Sequence, residues 1–288
     1  MNILSETYEK FVKYSEYYDL CNEGREFLRE SAEKICEDEN LVSEALKFKS
    51  RLADWFDNFK ADDEFKGKTP QFCAFVFTLA IEDMERLYKE KNISRDIFID
   101  TVSDLAVWIN RHHAWFGEWG FSQYGWLIHH LRGKIFKLGR LQFEPATAEF
   151  GELDSPPAEL KLGDPFLSVH IPRGGKLDEA ACLESFERAK EFFPKVLNYD
   201  FKVFGCFSWL FDPAFENLLT ADSNIVKFQK LFAVGRYWES YDGLNYVFVN
   251  ITKENIKDAP TDTTFRKKLA GYVSLGGIMQ SGAGYRLV

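Results

Sequence analysis

The sequence predicts an α+β protein in two parts, a helical N-terminal domain over 1–133 and a mixed α/β sheet domain over 134–288. Three observations predict it. Apolar residues recur at helical spacing through residues 4–132, with no competing strand-like alternation. From about residue 134 that period gives way to short apolar runs punctuated by glycine and proline. The length of 288 residues suits two packed domains better than one bundle.

In the first half, residues 7–20 and 23–36 read as short amphipathic helices separated at Asn22 and Gly24. Residues 41–59 follow, with Leu41, Ala45, Phe48, Leu52 and Trp55/Phe56 at helical spacing. Gly67-Lys68-Thr69-Pro70 breaks the chain, and Pro70 suits the first turn of the next helix. Phe72, Phe75/Val76, Leu79 and Leu87 line one face of that helix. Ser94 is placed to cap another, whose stripe is Phe98, Val102, Leu105 and Ile109.

In the second half, residues 135–144 alternate in part and read as one half-buried strand, with Arg140 and Glu144 on a single face. Residues 145–164 form a long connection with a short strand at 159–162. A second strand spans 166–171 and closes on Pro172-Arg173-Gly174-Gly175-Lys176. A helix opens at Asp178, buries Cys182, Phe186, Ala189 and Phe193, and ends at Pro194. Residues 202–211 read as a strand buried on both faces. A helix capped by Ser223/Asn224, a strand at 245–250, a helix at 263–272 and a closing strand at 285–288 complete the chain.

Composition excludes several functions. A net charge of −9 argues against nucleic acid or an anionic membrane as partner. No apolar stretch approaches the roughly 20 residues needed to span a bilayer. Residues 1–6 lack the basic and apolar regions of a secretory signal. The five cysteines are odd in number and scattered without a CxxC, which suits reduced thiols in a cytoplasm. Aromatic residues reach 16%, led by 28 Phe, and call for large cores or a wide cleft.

The strings Leu138-Gly139-Arg140-Leu141-Gln142-Phe143-Glu144, Ser168-Val169-His170-Ile171-Pro172, Phe207-Ser208-Trp209-Leu210-Phe211-Asp212-Pro213 and Ser223-Asn224-Ile225 carry a family resemblance. Together they resemble a bacterial family of acyltransferase-domain proteins with a helical N-acyltransferase N-terminal domain and a GNAT-like C-terminal domain. The resemblance implies the order strand, phosphate-binding turn, helix, strand, helix, strand, strand, which the periodicity of the second half also gives. It implies an acyl-CoA-dependent N-acyltransferase that moves an acyl group from coenzyme A to a small amine. The fold alone does not establish a reaction, and a non-catalytic acyl-CoA or small-ligand binding module with a degenerate GNAT-like domain is the alternative.

Residues 172–176 are the strongest candidate for chemistry. Two glycines permit close backbone approach, and a following helix start turns N–H groups toward an anion. Coenzyme A would be held by Val169, Ile171, Arg173, Gly174, Gly175 and Lys176. The turn is shorter than the GNAT pattern Gln/Arg-x-x-Gly-x-Gly/Ala, and Asp178 as N-cap competes for the same N–H groups. Glu144 and His170 are candidate bases for removing the amine proton, with His170 nearer neutrality. A backbone N–H near Val169 would serve the oxyanion, as the resemblance implies. Tyr237, Tyr241 and Tyr246 are candidate acids, and the sequence selects none of them.

Arg140, Trp126 and Ser208 are candidate substrate contacts. The alternatives are the readings the residues favour: Arg140 with Glu144 as a polar pair bridging the two domains, Ser208 as a packing residue of its apolar strand, and the aromatic cluster around Trp126 as helical core and interdomain packing. A cleft at the domain junction would receive the amine. The pairs His112-His113 and His129-His130 point about 100° apart on a helix, so neither forms an i, i+4 chelate, and no metal is expected.

Overall fold

The computed structural model describes residues 2–53, 60–149 and 155–288. The chain divides into two compact units, Met1–Lys137 and Leu138–Val288.

The first unit is helical: α1 Ile3–Ser15, α2 Asn22–Cys36, α3 Glu39–Ala53, α4 Ala61–Glu64, α5 Pro70–Glu90, α6 Arg95–Phe116 and α7 Tyr124–Leu131. The Trp55/Phe56 part of the expected third helix lies outside the described residues. Thr69 accepts from the Phe72 N–H at 3.2 Å and Pro70 occupies the first turn, so α5 begins where the sequence predicts. Its burial differs from a single stripe. Every residue from Phe72 to Ile81 is buried, because α1, α2, α3, α6 and α7 surround this helix. Ser94 precedes α6 without a side-chain cap bond, and α6 stops at Gly117, whose φ of 73° needs a glycine.

Of the aromatic cluster of this unit, Trp119 and Phe121 are buried, Trp108, Trp115, Tyr124 and Trp126 are half-buried, and Phe116 is exposed. Phe121 meets Phe77 edge-on at 4.9 Å, and Trp119 stacks on His113 at 3.8 Å. Trp126 Nε1 and Trp108 Nε1 donate to the buried Asp104 carboxylate at 3.2 and 3.1 Å. His130 Nε2 lies 3.2 Å from the same oxygen. Burial raises the Asp104 pKa, but the bonds from His130, Trp126 and Trp108 outweigh it and hold the carboxyl below its ordinary value.

A six-stranded sheet in the order β1-β2-β3-β4-β6-β5 organises the rest. Its strands are β1 Phe136–Leu138, β2 Leu141–Thr147, β3 Pro165–His170, β4 Val203–Ser208, β5 Ala233–Glu239 and β6 Gln280–Leu287. The helices of this part are α8 Glu179–Leu197, α9 Phe215–Leu218, α10 Asn224–Gln229, α11 Asp242–Val247 and α12 Thr264–Ser274. Phe143 packs on Phe186 and Phe193, so α8 covers one face of the sheet.

Five expectations are corrected. The strand read over 135–144 is two strands, broken at Gly139, whose φ of 84° makes the turn. Arg140 therefore sits in that turn and not on the face of Glu144. No strand forms at 159–162, where Leu160 and Asp164 close turns on Pro157 and Lys161. Helix α8 runs past Pro194 to Leu197, because buried Phe192 and Phe193 offset the bond that proline removes. The strand read over 202–211 stops at Ser208, and Trp209–Phe211 is a 3₁₀ turn. No strand forms at 245–250: residues 245–247 end α11, the chain leaves the helix at an extended Phe248, and Leu244 and Phe248 pack into one core.

Candidate active site

The parallel pairing of β3 with β4 covers Leu167↔Phe204 and Ser168↔Gly205. Beyond it, β3 continues to His170 on β2, and β4 continues to Ser208 on β6. The two strands thus take other partners at their C-terminal ends, and the backbone opens between them. Gly205 stands at this fork because the Phe166 ring lies against it; a Cβ there would come within 2.8 Å of Phe166 Cε2. Asp212, buried just after β4, accepts from the Ala214 and Gln280 N–H groups, each at 2.9 Å. It ties the end of β4 to the start of β6, and burial raises its pKa.

The register puts Gln142, Glu144, Ser168 and His170 on one face, opposite the face covered by α8. Glu144 is opposite Ser168 and Gln142 opposite His170, so Glu144 and His170 are diagonal neighbours. His170 Nε2 lies 3.3 Å from Glu144 Oε2. Both side chains are partly exposed, at 27% and 18%, which leaves them accessible to a substrate. The two candidate bases are one pair, not alternatives.

One residue past this pair, the chain enters the turn at Pro172–Lys176. Gly174 and Gly175 have φ of 94° and 68°, and nothing lies within 4 Å of where their Cβ atoms would be. Arg140 reaches the turn from the β1–β2 hairpin. Its Nε donates to the Lys176 carbonyl and its Nη1 to the Pro172 carbonyl, both at 3.0 Å. A planar guanidinium thus closes the two ends of the turn with one fork. Ser185 of α8 fixes the hairpin by accepting from the Arg140 and Leu141 N–H groups at 2.9 and 3.3 Å. Arg140 is a brace for the turn, where the sequence suggested a substrate contact or a polar pair.

Arg173 projects from the turn, and its Nη2 donates to the Tyr246 carbonyl at 3.0 Å. Among the described residues no carboxylate pairs with Arg140 or Arg173. Burial holds both guanidinium groups below their ordinary pKa, and the neighbouring charge of Arg266 adds to this at Arg173. Two cations without acidic partners among the described residues, in a chain of net charge −9, favour an arriving anion. The Asp178 carboxylate accepts from the Ala181 N–H at 3.1 Å, so it occupies the start of α8. An anion here would use turn N–H groups and guanidiniums in place of that helix terminus.

Val169 is buried on the α8 face, and Ile171 links β3 to the turn. Lys176 is exposed. Ser208 Oγ accepts from the Leu210 N–H at 3.1 Å and caps the 3₁₀ turn. Trp126 belongs to the helical unit, on Asp104. Tyr246 stacks on Trp209 at 6.0 Å, and Tyr237 is 43% exposed on β5. Sequence reasoning did not single out Ser185, Gln142 or Arg266. A serine inside an amphipathic helix and an arginine in a basic run carry no local signal of such partners. Among the described residues no three His, Cys, Asp or Glu side chains gather as a metal site.

Residues 11–133 match the N-acyltransferase N-terminal domain, and residues 135–286 match the GNAT-like C-terminal domain. The chain belongs to the GNAT-like N-acyltransferase family. Solved structures share its fold. An acyltransferase mutant in complex with octanoyl-CoA is 22% identical, with a TM-score of 0.81, covering 97% of this chain and 88% of that one. An acyltransferase in complex with decanoyl-CoA and teicoplanin is 23% identical, with a TM-score of 0.75, covering 94% and 89%. An acyltransferase with decanoyl-CoA alone is 21% identical, with a TM-score of 0.70, covering 87% and 79%. No curated protein matches the chain. No described helix is long and apolar enough to cross a membrane.

Proposed function

We propose that this family member is an acyl-CoA-dependent N-acyltransferase, with coenzyme A on the glycine turn and an amine on the face of Glu144 and His170. One observation carries the reading: His170, paired with Glu144, ends β3 immediately before a turn flanked by two guanidiniums that lack carboxylate partners among the described residues. The acyl chain follows the opening between β3 and β4. The amine nitrogen attacks the thioester carbonyl, and its proton passes to the pair. A strand N–H near Val169 meets the negative charge on oxygen. The C–S bond then breaks, and coenzyme A leaves as a thiol after taking up a proton.

The complexes of the structural relatives with octanoyl-CoA and decanoyl-CoA support a medium-chain donor. The complex with teicoplanin makes a bulky acceptor worth including beside small amines. The direct test is release of free thiol from a panel of acyl-CoAs with such amines. Turnover is expected for at least one donor and acceptor. Failure of coenzyme A to bind at millimolar concentration would sink the reading. Binding without turnover across the panel would favour a non-catalytic module.

A further inference from the structure

We propose that Arg173 and Arg266 together seat the 3′-phosphate of coenzyme A, beside the turn that takes its pyrophosphate. The inference rests on the coenzyme A reading above and adds a residue and a subsite to it. Arg266 stands in the first turn of α12. Its Nε donates to the Val247 carbonyl at 3.1 Å, and its Nη1 lies 3.0 Å from both oxygens of Asp262. Its guanidinium carbon is 5.9 Å from the centre of the Phe248 ring. Arg173 donates to the Tyr246 carbonyl, the one immediately before. Successive carbonyls therefore hold the two guanidiniums side by side, near enough for like charge to lower the pKa of Arg173.

Holding two cations together is unfavourable unless an anion compensates them. Asp262 supplies one negative charge, and among the described residues it pairs with Arg266 alone. Among the charged groups of the described residues that act on Arg173, Arg266 is the one cation and lies closest in effect after burial. Donors remain on both heads: Arg266 Nη2, and Nε and Nη1 of Arg173, make no hydrogen bond among the described residues. Backbone N–H groups of a glycine turn suit a pyrophosphate, whose phosphates each carry one charge. The 3′-phosphate is a monoester bearing close to two, which matches a pair of guanidiniums.

The test is titration calorimetry of coenzyme A and 3′-dephospho-coenzyme A on the full chain and on Arg266→Gln, with melting curves as a folding control. Arg266→Gln is expected to weaken coenzyme A by about ten- to a hundredfold while leaving the dephospho form unchanged, as loss of a charged phosphate contact implies. Arg266→Lys, which keeps the charge and is the fallback if the glutamine variant misfolds, should recover part of the loss for coenzyme A only. Unchanged coenzyme A affinity in a folded variant overturns this subsite and leaves the cofactor reading standing. Equal weakening of both ligands also overturns it, because the pair would then serve the pyrophosphate or the turn. Absence of coenzyme A binding by the unaltered protein overturns the cofactor reading, and this subsite with it.

Discussion

Replacing Arg140 tests whether the glycine turn depends on a brace that lies 32 residues away in sequence. Arg140→Ala removes two bonds from a charged donor, to the Pro172 and Lys176 carbonyls, each 3.0 Å long. Such bonds are worth about 1.5 kcal/mol or more each, and partial exposure of the guanidinium argues for the low end. Together they order the turn by about 3 kcal/mol, which at about 1.4 kcal/mol per decade corresponds to roughly a hundredfold. If that order is used in binding, Arg140→Ala weakens coenzyme A by about ten- to a hundredfold. Arg140→Lys, whose point charge cannot span both carbonyls, falls between the two. Titration calorimetry reads the affinity. Because the Arg140 and Leu141 N–H groups keep Ser185 as acceptor, the hairpin should survive and the melting temperature change little. A folded Arg140→Ala variant that binds coenzyme A within about twofold of the original would refute the brace.

Three further outcomes follow from the same geometry. Glu144→Gln and His170→Ala should each lower kcat by about 10²- to 10⁴-fold, the range for a lost general base, while coenzyme A affinity holds in calorimetry. Loss of binding in either variant would instead mark the pair as part of the cofactor site. Gly205→Ala drives a Cβ within 2.8 Å of the Phe166 ring and should cost about 1–3 kcal/mol in chemical denaturation, with Phe166→Leu recovering part of it. An unshifted denaturation midpoint would show that the fork can relax. Asp104→Asn should destabilise the helical unit by about 3 kcal/mol at neutral pH, as expected for breaking a buried pair. The Asp104 carboxyl is held below its ordinary value, so its contribution is full above the unfolded pKa of 3.8 and fades as pH falls through the folded value. The gap between the two proteins should therefore be widest near pH 7 and narrow below about pH 4. A gap that does not vary with pH in acid melts would count against an ionised Asp104 carboxylate.

Much of the architecture was legible because local rules and tertiary packing agree. The Pro70 start of α5, the Asp178 cap of α8 and the Ser223 cap of α10 are one-position signals that the backbone obeys. The glycine turn was legible as well, since Gly174 and Gly175 adopt backbone that side chains disfavour. Where local preference and burial disagree, the sequence misleads. The aromatic and β-branched run at 245–249 favours a strand, yet packing of Leu244 and Phe248 with Phe215, Leu269 and Met279 makes α11. Strand β5 was missed because its glycine and charged positions suit an edge whose pairing comes from β6 far along the chain.

The sequence by itself determined a helical half, a sheet half and a glycine turn between β3 and α8, all of which depend on residues within a few positions of one another. Only the tertiary structure decided what the site is made of. It joined Glu144 to His170 across two strands, turned Arg140 from a face of a strand to the underside of the turn, and brought Arg266 beside Arg173. These partners are separated by 26 to 93 residues, as in His170–Glu144 and Arg266–Arg173. Their meeting depends on strand register and helix packing, which no local spacing encodes.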